Sequence, residues 1–366
     1  MRFACDRSSL VERLTTLARG ISTRSALPVL SGILVQARDD RLNLFSTDME
    51  LSIKASVPAI VETDGEVVVP ARLFTDVVKN IAAGEVKVES TEGAVTVTAG
   101  KAVFTLNSWV ASDFPQTSSF EMSGGFAIAA EPFVETLGKV TRAASRDETR
   151  PILTGVLVTI GSGKLKMVAT DSYRLAVKET LVEGGPSEEV QAIVPVKALC
   201  EVQRLGGALE KRDITVALTE NQALFAVGDV CIATRLIDGQ FPNYRQLLPE
   251  SFDHAVSIAK EDLQAVTRRV SLLAQKNTPL RLQFGGDKLT IRAVTQDVGQ
   301  AQEEIDVEFS GEQFEIGFSP LFLIEGLDAI DGEVAVLKFI NPLRPGLVTG
   351  DDESYFYLIM PIRLSS

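Results

Sequence analysis

The chain repeats itself at a spacing of about 120 residues, and this repeat limits its possible folds more than any other feature. The segment LNLFSTDMELSI at residues 42–53 is echoed by LKMVATDSYRLAV at residues 165–177, with the two Thr-Asp pairs 123 residues apart. At the same spacing, LPVLSGILV at residues 27–35 recurs as RPILTGVLV at residues 150–158. A long fixed period is typical of a chain that contains copies of one domain.

A third and weaker copy completes the repeat. Residues 287–291, DKLTI, resemble DRLNL at residues 40–44 and GKLKM at residues 163–167. Three copies of this length account for the 366 residues, and each copy has an ordinary domain size. We therefore predict three similar domains, which comprise residues 1–122, 126–250 and 254–366.

Hydrophobic periodicity predicts the class of fold. Short alternating runs predict half-buried strands, and a helical spacing of apolar residues occurs twice in each domain. The second helix of the first domain would begin after Pro70 and would bury Leu73, Val77 and Ile81. Strands outnumber helices throughout, so the predicted class is α+β, with antiparallel sheets and two helices in each domain.

Composition excludes several classes of protein. With 45% hydrophobic and 23% charged residues, the chain can bury three cores and lacks the signature of disorder. No apolar run approaches the roughly 18 residues of a membrane span. Three scattered cysteines indicate buried free thiols and a cytoplasmic location. A net charge of −13 argues against a protein that holds nucleic acid by its overall charge.

Signals of catalysis are nearly absent. The only histidine, His254, follows the linker-like sequence LPESFD, and we expect it on the surface. Histidines and cysteines show no spacing that suits a metal, so we expect neither metal nor cofactor. Asp48 and Asp171 could be imagined as paired acids, but their equivalent places in two repeats favour a structural role in turns.

Basic residues recur on predicted helix faces. In the second helix of two domains, a cation, an anion and a cation follow at i, i+4 and i+7, which places them on one face. These residues are Arg72, Asp76 and Lys79, and then Lys197, Glu201 and Arg204. A third row, at i, i+3 and i+7, contains Lys139, Arg142 and Arg146. A solvated face explains one such row, but recurrence in an acidic protein favours a surface for DNA, held by weak contacts.

The segments TDSYRLAV, LPVLSGILV, VPARLF, LIDGQFPNYRQLLP and YLIMPIRL together resemble the bacterial sliding clamp, the beta subunit of DNA polymerase III. The resemblance covers the whole chain. It implies the DNA clamp fold, in which a head-to-tail homodimer forms a ring of six similar domains around duplex DNA of any sequence. It also implies a non-catalytic processivity factor that tethers the replicative polymerase and other clamp-binding proteins. An ATP-driven clamp loader would open the ring, and no membrane would be involved.

The resemblance also implies roles for specific residues. The basic residues expected to border the hole are Arg24, Arg72, Lys79, Arg142, Arg146, Arg150, Lys197, Arg204 and Lys276. The resemblance implies a pocket for partner peptides between the second and third domains, formed by Leu153, Thr170, Ser172, Tyr173, Arg174, Leu175, Pro242, Gln246, Leu247, Phe322, Met360, Pro361, Ile362 and Arg363. It also implies contacts between subunits through Lys101, Phe104, Leu106, Leu272, Leu273, Glu303 and Glu304.

Three features depart from the family pattern. Many relatives have Gly-His where this chain has Ser172-Tyr173, and Arg where it has Gln246; two serines also follow the usual end at Arg363-Leu364. These differences bear on which peptides the pocket prefers. An alternative function remains, namely a peptide-binding scaffold or an enzyme that uses the same repeat without forming a clamp.

Overall fold

The computed structural model describes residues 1–22, 26–82, 84–115, 120–207, 213–275, 278–309 and 311–364. They form two compact units. The first comprises Met1–Ala130 and Arg204–Leu236, and the second comprises Glu131–Gln203 and Ile237–Ser366. The predicted second domain therefore contributes residues to both units.

The order of elements repeats three times, as a strand, a helix, four or five strands, a second helix and three strands. The first repeat contains β1 (Arg2–Asp6), α1 (Arg7–Leu17), β2 (Gly32–Arg38), β3 (Arg41–Thr47), β4 (Leu51–Pro58), β5 (Ile60–Thr63), β6 (Gly65–Pro70), α2 (Ala71–Asn80), β7 (Glu85–Thr91), β8 (Ala94–Ala99) and β9 (Ala102–Asn107). The second contains β10 (Phe126–Ala129), α3 (Ala130–Val140), β11 (Gly155–Gly161), β12 (Lys164–Thr170), β13 (Arg174–Leu181), β14 (Val190–Pro195), α4 (Val196–Gly206), β15 (Asp213–Leu218), β16 (Gln222–Val227) and β17 (Val230–Arg235). The third contains β18 (His254–Ala259), α5 (Lys260–Ser271), β19 (Leu280–Gly285), β20 (Lys288–Thr295), β21 (Gly299–Asp306), β22 (Phe314–Phe318), α6 (Pro320–Ala329), β23 (Val334–Phe339), β24 (Gly346–Thr349) and β25 (Tyr355–Ile359).

The three copies confirm the predicted α+β class of similar domains with two helices each. Antiparallel pairing is found along every sheet of the described residues. Within these residues, no helix is long and apolar enough to cross a membrane.

Each unit contains one large and one smaller sheet. In the first unit the strand orders are β10-β15-β16-β17-β4-β3-β2-β6 and β5-β1-β7-β8-β9. In the second unit they are β14-β11-β12-β13-β25-β24-β23-β18 and β21-β20-β19-β22. Each eight-stranded sheet therefore joins four strands from the second repeat to four strands from another repeat.

Helix α2 buries a different face from the one that we predicted. The helix buries Phe74 and Val78, whereas Leu73 is 57% exposed. Val77 is half-buried, and Ile81 is buried directly after the helix ends. Two apolar rows run along this helix, and periodicity does not distinguish them because both have helical spacing.

Lys139, Arg142 and Arg146 do not lie on one face of a single helix. Helix α3 ends at Val140, and Arg142 lies in a short 3-10 helix, Thr141–Ala143. The Lys139 side chain is only 7% exposed, because its ammonium group pairs with Glu135 at 2.9 Å and with Asp331. Buried lysines require such partners, since an unpaired charge loses its hydration.

Two expectations for polar side chains also fail. His254 opens β18 instead of lying in a linker, and its ring stacks on Phe314 with centroids 5.1 Å apart. Of the cysteines, only Cys5 is buried; Cys200 is exposed and Cys231 is half-buried.

Candidate functional site

The predicted peptide pocket centres on the turn between β12 and β13. Thr170 ends β12, and its hydroxyl donates to the carbonyl oxygen of Arg174 at 2.6 Å. The Asp171 carboxylate accepts the backbone N–H groups of Tyr173 at 2.9 Å and Arg174 at 3.0 Å. A carboxylate that holds two backbone donors stabilises a tight turn, so Asp171 has the structural role that we predicted.

The first repeat contains the same turn. Asp48 accepts the backbone N–H groups of Glu50 at 3.0 Å and Leu51 at 2.8 Å. Met49 and Ser172 each lie two residues after the threonine of their turn. Both have a left-handed backbone, with φ of 79°. This conformation costs little for glycine and more for other residues, which explains why glycine suits this position.

The turn presents its residues to different environments. The side chain of Tyr173 is 62% exposed, whereas Leu175, two residues later, is buried. Leu175 belongs to an apolar core that also contains Phe241 and Tyr244. That contact brings the segment with Pro242, Gln246 and Leu247 beside β13.

Arg174 joins the turn to three other elements. Its Nε donates to Asp171 at 3.0 Å, and its Nη1 donates to the Tyr357 hydroxyl at 3.2 Å. Further donors reach Glu325 in α6 and the carbonyl oxygen of Arg142. The guanidinium group also lies over the ring of Phe322, 4.4 Å from its centroid. Burial lowers the pKa of Arg174, but Tyr357 and Glu325 raise it to a greater extent, so the group stays charged.

Residues after β25 form one side of the same surface. The backbone N–H of Met360 donates to the Tyr173 carbonyl oxygen, and that of Ile362 donates to the Gly317 carbonyl oxygen, both at 2.8 Å. The side chains of Met360 and Ile362 remain 38% and 37% exposed, and Leu247 is 45% exposed. Half-exposed apolar side chains beside a buried floor can accept the hydrophobic anchors of a short peptide.

The remaining pocket residues differ in exposure. Leu153 and Thr170 are buried, and Phe322 and Pro361 are half-buried. Pro242, Gln246 and Arg363 are exposed. The buried residues can support such a site, and the exposed ones can contact a ligand.

The predicted DNA-contacting residues are exposed wherever the structure describes them. Those residues are Arg72, Lys79, Arg142, Arg146, Arg150, Lys197 and Arg204. Arg24 and Lys276 lie outside the described residues. The row on α4 is interrupted, because Glu201 is buried at the position between the two cations. Arg268 in α5, which the sequence analysis missed, is also exposed and lies beside Arg142 through a shared carboxylate.

The predicted subunit contacts lie at the free edges of the two smaller sheets. Strand β9 ends one of these sheets and β21 ends the other. On β9, Phe104 is 42% exposed, and Leu272, directly after α5, is 82% exposed. Lys101 is exposed, whereas Leu106 and Leu273 are half-buried. Glu303 pairs with Arg269 at 2.7 Å and Glu304 pairs with Lys288 at 2.7 Å, all within the chain.

Among the described residues, no group of three or more histidine, cysteine, aspartate or glutamate side chains could hold a metal ion. Around the Thr170–Arg174 turn, the described side chains offer apolar surface, hydrogen-bonding groups and charge to a ligand.

Three family models match the chain in succession. They describe the N-terminal, central and C-terminal domains of the DNA polymerase III beta subunit, and they match residues 1–118, 127–243 and 245–363. A beta sliding clamp of Streptomyces coelicolor is 34% identical over 379 residues, which covers the whole of both chains. A beta sliding clamp of Staphylococcus aureus is 31% identical over 377 residues and 99% of both chains.

Solved structures resemble the chain over the same length. The DNA polymerase sliding clamp of Bacillus subtilis is 28% identical and superposes with a TM-score of 0.93. A sliding clamp of Pseudomonas aeruginosa, solved in complex with griselimycin, is 29% identical and superposes with a TM-score of 0.91. Each superposition covers the whole of both chains.

Proposed function

The chain belongs to the DNA polymerase III beta subunit family of sliding clamps, and from this premise we propose that two copies of it close head to tail around duplex DNA. It is a processivity factor for a DNA polymerase. We further propose that it catalyses no reaction of its own and works in the cytoplasm. Nothing in the described residues favours the alternative of an enzyme or a scaffold without a ring.

One observation supports closure most directly. Within the chain, strands of different repeats pair at two places, which we call internal junctions, and both junctions have the same register. Strand β4 pairs with β17, and β13 pairs with β25. In each pair, the first residue of the earlier strand lies opposite the fifth residue of the later strand, as Leu51 opposite Thr234 and Arg174 opposite Ile359. In its repeat, β21 has the position of β4 and β13, and β9 has the position of β17 and β25. A third junction of this kind would therefore pair β21 with β9, and both strands lie at the edge of a sheet.

The register of the internal junctions predicts the register of the contact between subunits. Gly299 of one copy would lie opposite Leu106 of the other, and Ala301 would lie opposite Phe104. Lys101, directly before β9, would then lie opposite Glu304. An antiparallel contact in this register would convert two exposed edges into one continuous sheet, which removes unpaired backbone groups from solvent. A head-to-tail contact is heterologous, and it closes into a ring when the rotation allows.

We propose that the exposed basic residues contact the DNA backbone and that the surface around Tyr173, Phe322 and Met360 binds partner peptides. Phosphate contacts position a duplex without reading its sequence, which suits a ring that must move along any DNA. The partners would include the replicative polymerase, the ATP-driven loader and other proteins with a clamp-binding motif. The half-exposed apolar side chains of the pocket support this assignment.

Retention on circular DNA tests the proposal. The protein is loaded onto nicked circular DNA, the DNA is linearised, and the bound fraction is measured by gel filtration. We expect retention on the circle and loss after linearisation, because a ring is held by topology and slides off free ends. Equal binding to circular and linear DNA would overturn the proposal.

A paired substitution tests the DNA-contacting residues in the same assay. We expect Arg72→Glu with Lys197→Glu to impair loading and retention without unfolding the protein, because exposed charges contribute little to stability. Unchanged loading of this double variant would remove both residues from the proposed surface.

A further inference from the structure

Arg142 and Arg268 share a single carboxylate, that of Asp328 in α6. Nη2 of Arg268 lies 2.6 Å from Asp328 Oδ1, and Nη1 of Arg142 lies 3.8 Å from Asp328 Oδ2. The two arginine side chains are 52% and 54% exposed, and the Asp328 side chain is 27% exposed. We call these three residues the Asp328 cluster.

Neighbouring groups hold the cluster in place. The Gln264 side-chain amide donates to Asp328 Oδ1 at 3.0 Å and to the Leu327 carbonyl oxygen at 3.1 Å. The carbonyl oxygen of Arg142 accepts a hydrogen bond from the buried Arg174. The carboxylate and the Arg142 backbone are thus anchored, while both arginine side chains keep about half of their surface in solvent.

We propose that Asp328 weakens the binding of Arg142 and Arg268 to DNA. A phosphate would bind this arginine pair only in competition with the Asp328 carboxylate. The inference rests on the proposed function, since it takes Arg142 to face the duplex. It adds Arg268 as a DNA contact and assigns Asp328 a role opposite to that of its neighbours.

The chemistry of the cluster carries this assignment. Guanidinium groups bind carboxylates and phosphates through the same N–H donors, so Asp328 occupies donors that a phosphate would use. The carboxylate also reduces the charge of the pair from two to one. Each phosphate neutralised by a protein cation releases counterions and adds to affinity, and a partly neutralised pair adds less. A ring held by topology loses nothing from a weak contact and gains freedom to slide.

A stabilising role alone explains the cluster less well. Ion pairs between half-exposed side chains contribute little to folding, and Gln264 already links α5 to α6 through the Leu327 carbonyl oxygen. Arg269, the next residue of α5, has a separate carboxylate partner in Glu303. The two adjacent arginines therefore pair with different carboxylates, Arg268 with Asp328 in α6 and Arg269 with Glu303 in β21.

Substitution of Asp328 by asparagine tests the inference. Asparagine keeps the shape of the side chain and an oxygen that can accept from Gln264, but it removes the charge. Binding of a short fluorescent duplex is measured by anisotropy over a range of NaCl concentrations. We expect Asp328→Asn to bind several-fold more tightly at low salt, with a slope of log affinity against log salt steeper by about 0.9. One-dimensional diffusion on DNA should also slow.

Two further variants separate the local effect from overall charge. Glu308→Gln makes the same change in net charge at an exposed residue outside the Asp328 cluster, and we expect a smaller gain in affinity and an unchanged slope. Arg268→Ala in the Asp328→Asn background should cancel most of the gain, because it removes one of the freed cations.

The outcomes are distinguishable from failure of the proposed function. If wild-type protein is retained on nicked circles but Asp328→Asn binds no more tightly than Glu308→Gln, the proposed function stands and this inference is overturned. If wild-type protein is not retained on circles, the proposed function fails and this inference fails with it.

Discussion

Single side chains determine the shape of the two Thr-Asp turns. Ser172 and Met49 both adopt a left-handed backbone, with φ of 79°. For a residue with a Cβ atom this conformation costs about 1–2 kcal/mol, whereas glycine adopts it readily. Ser172 recovers part of this cost through its hydroxyl, which lies 3.1 Å from Nη1 of Arg150.

This difference predicts unequal effects of glycine at the two turns. We expect Met49→Gly to raise the free energy of unfolding by about 0.5–1 kcal/mol, because strain is relieved at a smaller entropic cost. Ser172→Gly should raise it less, because it also removes the hydrogen bond with Arg150. Urea denaturation measures both. A Ser172→Gly protein less stable than Ser172→Ala would show that the turn is not strained.

Asp352 is another residue whose charge state matters. Burial alone would raise its pKa, but Lys178 and Ser354 hold the carboxylate by hydrogen bonds and lower the pKa to about 2. Lys178 lies in β13 and is only 8% exposed. The pair therefore links β13 to the segment before β25, the two strands of one internal junction.

The lowered pKa predicts how stability depends on pH. Because the folded pKa lies below the unfolded value of about 3.9, the contribution is complete above that value and is lost as pH falls toward 2. After allowance for solvent screening, it amounts to about 1 kcal/mol. We expect Asp352→Asn to flatten the fall in thermal midpoint between pH 5 and pH 2. An unchanged pH profile would contradict this, and Glu353→Gln, at an exposed neighbour, is the control.

The segment after β25 is the element on which the proposed pocket depends most. The structure describes residues 360–364 of this segment, and these have no regular secondary structure. The Met360 and Ile362 N–H groups donate to carbonyl oxygens of the Thr170–Arg174 turn and of β22. Ile359, the last residue of β25, is fully buried, whereas residues 360–364 are exposed or half-buried. The sheet therefore ends where the proposed binding surface begins.

Deletion of residues 360–366 should separate binding from folding. We expect the shortened protein to lose polymerase and loader binding yet remain a folded dimer, because the core residues of β25 are retained. Calorimetry with a clamp-binding peptide measures the first property, and sedimentation measures the second. Intact peptide binding by the shortened protein would place the pocket elsewhere.

For the whole molecule, the proposed assembly depends on the free edges β9 and β21. Leu272 is 82% exposed in the single chain, and Leu273 lies beside the beginning of β21, where it approaches Gly299. An open strand edge presents unpaired backbone groups that can pair with a strand of another chain, and Leu272 could be buried by such a contact. Ion pairs such as Lys101 with Glu304 would add only about 0–1 kcal/mol.

Removal of these leucines should open the proposed ring. We expect Leu272→Ala with Leu273→Ala to cost about 2–5 kcal/mol for each leucine that is buried at the proposed contact. The loss would count twice, because two such contacts would close the proposed ring. The product should be a folded monomer that still binds clamp-binding peptides, since the pocket residues all belong to one chain. Sedimentation as a dimer at low micromolar concentration would show that the contact lies elsewhere.

The proposed register can be tested by a disulfide. In a Cys200→Ser background, Phe104→Cys with Ala301→Cys should give a covalent dimer on oxidation, because residues directly opposite in paired strands have Cβ atoms about 4.5–5.5 Å apart. Val103→Cys with Ala301→Cys should not cross-link efficiently, because a shift of one residue turns the side chain to the other face. Equal cross-linking of both pairs would reject the register.

The residues alone determined the threefold repeat, the α+β class and the structural role of Asp48 and Asp171. These features depend on local patterns, namely alternation, helical spacing and turn residues near each other in the chain. The resemblance carried by TDSYRLAV and YLIMPIRL indicated the family, and the three matching family models confirm it.

Only the tertiary structure decided which apolar row of α2 is buried, that Lys139 is enclosed by carboxylates, and that β4 pairs with β17. Each of these depends on contacts between residues distant in sequence. Periodicity states that a helix has an apolar face, but packing against other elements selects the face. The shared carboxylate of Arg142 and Arg268 is of the same kind, because its three members come from three separate segments that only folding brings together.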